Sequence, residues 1–208
     1  MKITRIIPIL CLLLLVGCGG KGETQVFTIL NDQIVSQNKC NENNTQLTDL
    51  MAKETEIYNR IIEKGTDSFD DIKGFVEEGQ QNVENSKQLL SEYDLCIRGA
   101  LVDQNKLIKE KDKVKDSTAL QEATMLIEQY TIYESSLVDY VESLIRLNEA
   151  QAQFYNQLNE STDIQQMEAL VTNINTAIDE ANIASETHHD ALIAFNELYS
   201  NYYETYIQ

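Results

Sequence analysis

The clearest chemistry in this chain sits at Leu15-Val16-Gly17-Cys18, at the end of an apolar run that follows Lys2 and Arg5. Small residues ahead of a cysteine suit a lipoprotein signal peptidase, and the thiolate is the nucleophile that takes up a diacylglycerol before the cut. The four residues have the pattern of a bacterial lipobox. Cleavage there would leave Cys18 as an acylated N-terminus carrying chains of the palmitate class. The run Ile6 to Val16 is eleven residues, whereas a bilayer-spanning helix needs about 20, so an export signal is favoured over a permanent span. An ordinary secretory signal with an incidental Cys18 is the plainer alternative.

A second group of reactive side chains lies far along the chain. Counted back from the expected turns, Cys40, Cys96 and His188 fall at similar distances from one end of the fold, with Glu134 nearby on another helix. Three readings compete: a Cys40–Cys96 disulfide, which an extracytoplasmic compartment permits; a buried polar layer with two free thiols that sets helix register; and a Cys, Cys, His metal site. The ligands stand singly on separate helices, so no metal and no cofactor is expected. His189, beside Glu186 and Asp190, reads as solvated. Catalytic constellations are missing: there is no H-E-x-x-H, no G-x-S-x-G and no dinucleotide fingerprint. Asp67 to Glu78 fails as a calcium loop, because Phe69 and Ile72 stand where a ligand and the turn glycine belong. An enzyme is not expected.

The elements that would position these residues are all helical. Without residues 1–17 the chain has 191 residues, enough for one domain with a substantial core. The only proline, Pro8, precedes Cys18, and few glycines lie beyond it, so little interrupts a helix. Losing Lys2 and Arg5 takes the formal net charge from −18 to −20, and Asp116 to Gln208 holds sixteen acidic residues against Arg146 alone. Nucleic acid is therefore excluded as a partner. An acidic solvated surface explains the charge, with cation or basic-partner binding as the functional alternative.

Within 18–23, Cys18 is followed by a linker, Gly19 to Glu23, too short to span more than ~17 Å, and residues 24–208 read as four long helices. Phe27, Leu30 and Ile34 start the first, Leu47, Leu50, Ile57 and Ile61 continue it one residue out of phase, and Ser36 to Gln46 make a weak middle. Gly65 ends it, with Ser68 and Asp71 as a capping box. The second helix carries the seam Phe69, Ile72, Val76, Gly79, Val83, Ser86, Leu90, Tyr93, Ile97 and Ala100, continuing to Leu107. Thr118 with Gln121, and Thr162 with Gln165, open the third and fourth helices. The third follows Leu120, Ala123, Ile127, Tyr130, Leu137, Val141, Leu144 and Tyr155. The fourth runs from Ile164 to Tyr206. Short turns between long helices predict an all-α, elongated, coiled-coil-like up-down-up-down bundle. Such a course puts Lys106, Lys109, Lys111, Lys113 and Lys115 near the membrane. Tyr199, Tyr202, Tyr203 and Tyr206 crowd the last turns, where three follow the seam. Core packing is the expected role, and stacking on sugars or sitting at lipid headgroups the alternative.

Glu56-Ile57-Tyr58-Asn59-Arg60-Ile61-Ile62-Glu63-Lys64-Gly65, followed by Phe69 and Ile72, resembles the helix-turn-helix signature of the YkyA-like cell-wall-binding lipoproteins of Bacillus-type bacteria. Phe195-Asn196-Glu197-Leu198-Tyr199 and Tyr202-Tyr203 are similar to that family's closing helix. The resemblance spans the chain and is most specific from Lys53 to Phe75. It implies a Gram-positive lipoprotein with a long helical body, held at the extracytoplasmic face of the cell membrane by its N-terminal lipid, with peptidoglycan or another envelope protein as partner. It carries over no binding residues. This chain is richer in Asn, Gln, Ser and Thr, poorer in Lys, and has Cys40 and Cys96. A membrane-tethered scaffold for protein partners is the alternative function, with a metal or small-ligand binder behind it.

Overall fold

A computed structural model describes residues 21–65 and 69–208, with the side chains of 43 and 44 left aside. The lipobox, Cys18 and the Ser68 cap lie outside the described residues. Every regular element among the described residues is helical: α1 (Lys21–Lys39), a 3-10 turn (Cys40–Asn43), α2 (Asn44–Lys64), α3 (Phe69–Gly99), α4 (Gln104–Lys111), α5 (Ser117–Gln157) and α6 (Ile164–Tyr206).

The expected single first helix is interrupted at Cys40–Asn43, where the apolar phase shifts. A 3-10 turn rotates ~20° further per residue than an α-helix, so four residues turn the buried face by ~80°, close to the one-residue offset. Phe27, Leu30 and Ile34 on one side and Leu47, Ile57 and Ile61 on the other are thereby all buried. Gly65 has φ +69° and its N–H bonds Ile61 O at 3.0 Å, the left-handed close of α2.

The second helix is shorter than its seam. Every seam residue from Ile72 to Ala100 is buried, but α3 stops at Gly99 and buried Leu107 belongs to α4. Two competitors take over the backbone there. Val102 N–H donates to the Glu134 carboxylate at 2.8 Å, and Asp103 caps α4 by accepting from the N–H groups of Asn105 and Lys106. The other caps also differ from expectation. Asp116, not Thr118, accepts the first N–H groups of α5. At α6 the reciprocal box is Asp163 with Gln166, one residue beyond Thr162 and Gln165. Ile164, at the first position of α6, is 69 % exposed.

The chain forms two compact units, and α5 and α6 contribute to both. The first comprises 21–42, Cys96–Ser136 and His189–Gln208. In it α1 packs on α4, and Phe27 stacks on Tyr199 at 4.9 Å and meets Tyr203 at 5.2 Å. The second comprises Asn43–Leu95 and Leu137–His188. Its core joins Ile57 and Ile61 of α2, Ile72, Val76 and Val83 of α3, Phe154 and Tyr155 of α5, and Leu170 and Ile174 of α6.

Gly79 fixes how closely α3 approaches α5 in that core. A Cβ on it would lie 2.2 Å from Cε1 of the buried Tyr155, whereas a Cβ on Gly74 would meet nothing within 4 Å. Gly79→Ala is therefore expected to lower stability by about 1–3 kcal/mol through overpacking, while Gly74→Ala raises it by up to about 1 kcal/mol through helix propensity. Denaturant unfolding midpoints of the two variants, moving in opposite directions, check this.

Candidate functional site

Each unit holds a buried carboxylate within a layer of polar side chains, Glu134 in the first and Glu54 in the second, and the first also buries Glu23 at the start of α1. In the first, Glu134 Oε1 accepts from Gln37 Nε2 at 3.1 Å as well as from Val102 N–H. Tyr130 Oη accepts from the same Gln37 amide at 3.1 Å. Burial, outweighing these hydrogen bonds, raises the Glu134 pKa above the ordinary carboxylate value. Gln37 Oε1 is buried with no hydrogen-bond partner. Cys40 and Cys96 are joined in this unit, with Cα atoms 5.7 Å apart. His188 belongs to the second unit, where it stacks on Tyr140. Among the described residues no three His, Cys, Asp or Glu side chains are placed to hold a metal ion.

In the second unit Tyr155 Oη donates to Glu54 Oε1 at 2.6 Å, and Asn82 Nδ2 donates to Glu54 Oε2 at 3.1 Å and to Leu50 O at 2.9 Å. Burial again raises the Glu54 pKa, with both hydrogen bonds opposing it. Both layers tie different helices together through these hydrogen bonds, which fits a role in positioning helices.

A concave feature that faces solvent lies in the first unit, between α5 and α6. It is a groove of about 520 Å³, within the size range of small-ligand sites. Thr118, Gln121, Glu122 and Met125 line it from α5, and Leu198, Asn201, Tyr202 and Thr205 from α6. Both stripes follow i, i+3, i+4, i+7 spacing, which sets them on one helical face each. The groove exists because short or polar side chains stand where a closed seam would carry Leu or Ile. Glu204 also lines it, and no Lys or Arg does.

Tyr202 is 2 % exposed, and its Oη is buried without a hydrogen-bond partner. Burial first, then the charges of Glu23 and Glu122 and the neighbouring Tyr206, raise its pKa, so the phenol stays protonated. Its ring packs on Tyr206 at 5.0 Å. Tyr199 and Tyr203 are core residues as well. The groove thus presents hydroxyls, amides and two carboxylates around an aromatic wall. That set hydrogen-bonds a neutral polyol and repels phosphate. Polar residues at matching spacing on two helices were the only sequence signal for it.

The model of the YkyA family, described as a putative cell-wall binding lipoprotein, matches residues 21–205. The chain belongs to the YkyA family. The YkyA match runs from the start of α1 nearly to the end of α6, so both units fall within the family's extent. No curated protein and no solved structure matches the chain. Among the described residues no helix is long and apolar enough to cross a membrane.

Two measurements follow from the buried groups. The Cys40–Cys96 bridge spans a sequence separation of 56, so replacing both with Ala is expected to cost about 4 kcal/mol through the freer unfolded chain. Mass spectrometry of non-reduced peptides reads the bridge directly. For Glu54, the folded state holds its proton more tightly than the unfolded state. Its contribution is therefore fully present below the unfolded value, near 4.5, and is lost as pH rises through the raised folded value. Thermal melts should show that Glu54→Gln is at least as stable as wild type at neutral pH and gains less on acidification. Glu54→Ala, which leaves the Tyr155 hydroxyl without its acceptor and Asn82 with only Leu50 O, should lose about 1–3 kcal/mol.

Proposed function

We propose that this chain is a lipid-anchored, extracytoplasmic wall-binding protein of a Gram-positive envelope, without catalytic activity. In this reading residues 1–17 are a cleaved signal peptide and Cys18 carries the lipid. The helices run antiparallel, up-down-up-down, and the α5/α6 groove receives the wall polymer. One observation carries the choice of ligand: a groove of small-ligand size is lined by amides, hydroxyls and carboxylates, with no Lys or Arg among them. Sugar hydroxyls, each both donor and acceptor, pair with such a set.

The charge narrows the polymer. Asp116 to Gln208 carries sixteen acidic residues against one basic, so phosphate-rich wall polymers are repelled unless divalent cations bridge them. The glycan strand of peptidoglycan is the better match.

The test is co-sedimentation of the soluble domain, Glu23 to Gln208, with purified sacculi, with and without teichoic acids and with and without magnesium. Binding is expected to survive teichoic acid removal and to fall about tenfold or more in Asn201→Ala and Gln121→Ala, since each loses a hydrogen bond of about 1–1.5 kcal/mol to the sugar. Protein left in the supernatant under all four conditions, together with in-cell cross-linking to one protein partner, would replace this reading with the scaffold.

A further inference from the structure

The start of α1 is pinned against the lysine-rich segment that contains α4. Gly22 approaches it so closely that a Cβ there would lie 2.7 Å from Val114 N and 2.8 Å from the Lys113 carbonyl carbon. Cys18 precedes Gly22 by four residues, which reach at most ~15 Å even when fully extended. Whatever holds Cys18 therefore holds Lys113 and its neighbours within about that distance.

The segment's charges are unequally engaged. Asp103 is occupied as the cap of α4 and Asp116 as the cap of α5. Glu110 takes Lys113 at 2.6 Å, and Asp112 lies 3.6 Å from Lys111. Lys106, Lys109 and Lys115 are exposed and enter no ion pair among the described residues. Ile108 stands 46 % exposed between the first two, and Leu101 is 36 % exposed just ahead of α4. A short basic helix with an uncovered apolar residue beside its lysines has the composition of a bilayer-surface contact.

We propose that α4 docks on an anionic lipid surface, with Lys106, Lys109 and Lys115 at the headgroups and Ile108 entering the interface. This inference rests on the lipid anchor at Cys18 proposed above. The anchor supplies proximity, and the lysines then orient the first unit with α4 towards the bilayer. Each lysine contributes roughly a fivefold preference for the charged surface.

The test uses the full lipidated protein with a nitroxide attached through Ile108→Cys, in vesicles of phosphatidylcholine alone or mixed with phosphatidylglycerol. Flotation with the vesicles reads the anchor, and collisional accessibility to oxygen against a nickel chelate reads the depth of the label. The label is expected at the interface in anionic vesicles and in water in neutral ones. The triple variant Lys106→Gln, Lys109→Gln, Lys115→Gln should lower the docked-to-undocked ratio roughly a hundredfold while still floating. Protein that floats with the label in water in both vesicles overturns the docking alone, and a label equally deep in both overturns its electrostatic basis. Protein that does not float overturns the anchor and the docking with it.

Discussion

Long helices that meet along continuous apolar stripes can slip by a turn with little change in buried area, and something must forbid it. Here that constraint is hydrogen bonding to buried carboxylates. Glu134 is satisfied only when Gln37 of α1 and the Val102 N–H reach it together. Glu54 is satisfied only when Asn82 of α3 and Tyr155 of α5 stand at its level. A slip of one turn, ~5.4 Å, would strand an acid and its donors in the core. The apolar seams make the helices associate, and the two acids select one register from several similar ones.

The same logic explains where the chain departs from regularity. The 3-10 turn at Cys40–Asn43 lets α1 and α2 each present an apolar face although their phases differ. Glu134, by capturing Val102 N–H, ends the run of α3 and leaves room for the cap at Asp103. Both irregularities lie in the sequence stretches that hold the two disulfide cysteines. The covalent link therefore sits where helical hydrogen bonding is least continuous.

Much of this architecture was legible in the residues because apolar spacing is a strong signal. The α3 seam from Ile72 to Ala100, the turn at Gly65 and the bounds of α5 follow from periodicity and the scarcity of breakers. The caps were legible only to within a residue or two, since Thr118 and Asp116, or Thr162 and Asp163, are comparable acceptors and geometry alone selects between them. The end of α3 was hidden, because Leu101 and Val102 continue the apolar pattern while the deciding partner lies 32 residues away. Buried Glu54 looked like a solvated charge in an acidic chain, whereas Glu134 had stood beside Cys40 and Cys96 in the polar layer that the residues offered as one reading. The groove was harder still: it consists of missing bulk on two helices, and Thr118 and Thr205 reveal it only once their pairing is known.

The first unit is built from both extremes of the chain. Tyr199 Oη donates to Asn31 at 3.1 Å across 168 positions of sequence, and the ring of Phe27 is covered by Tyr199 and Tyr203. A ribosome makes α1 long before Tyr199 and Tyr203, so the part of its apolar face that carries Phe27 waits uncovered until those residues emerge, even once α4 has packed on the helix. A product truncated ahead of Tyr199 would keep that part open, and a protease or chaperone would meet it as an unfinished chain.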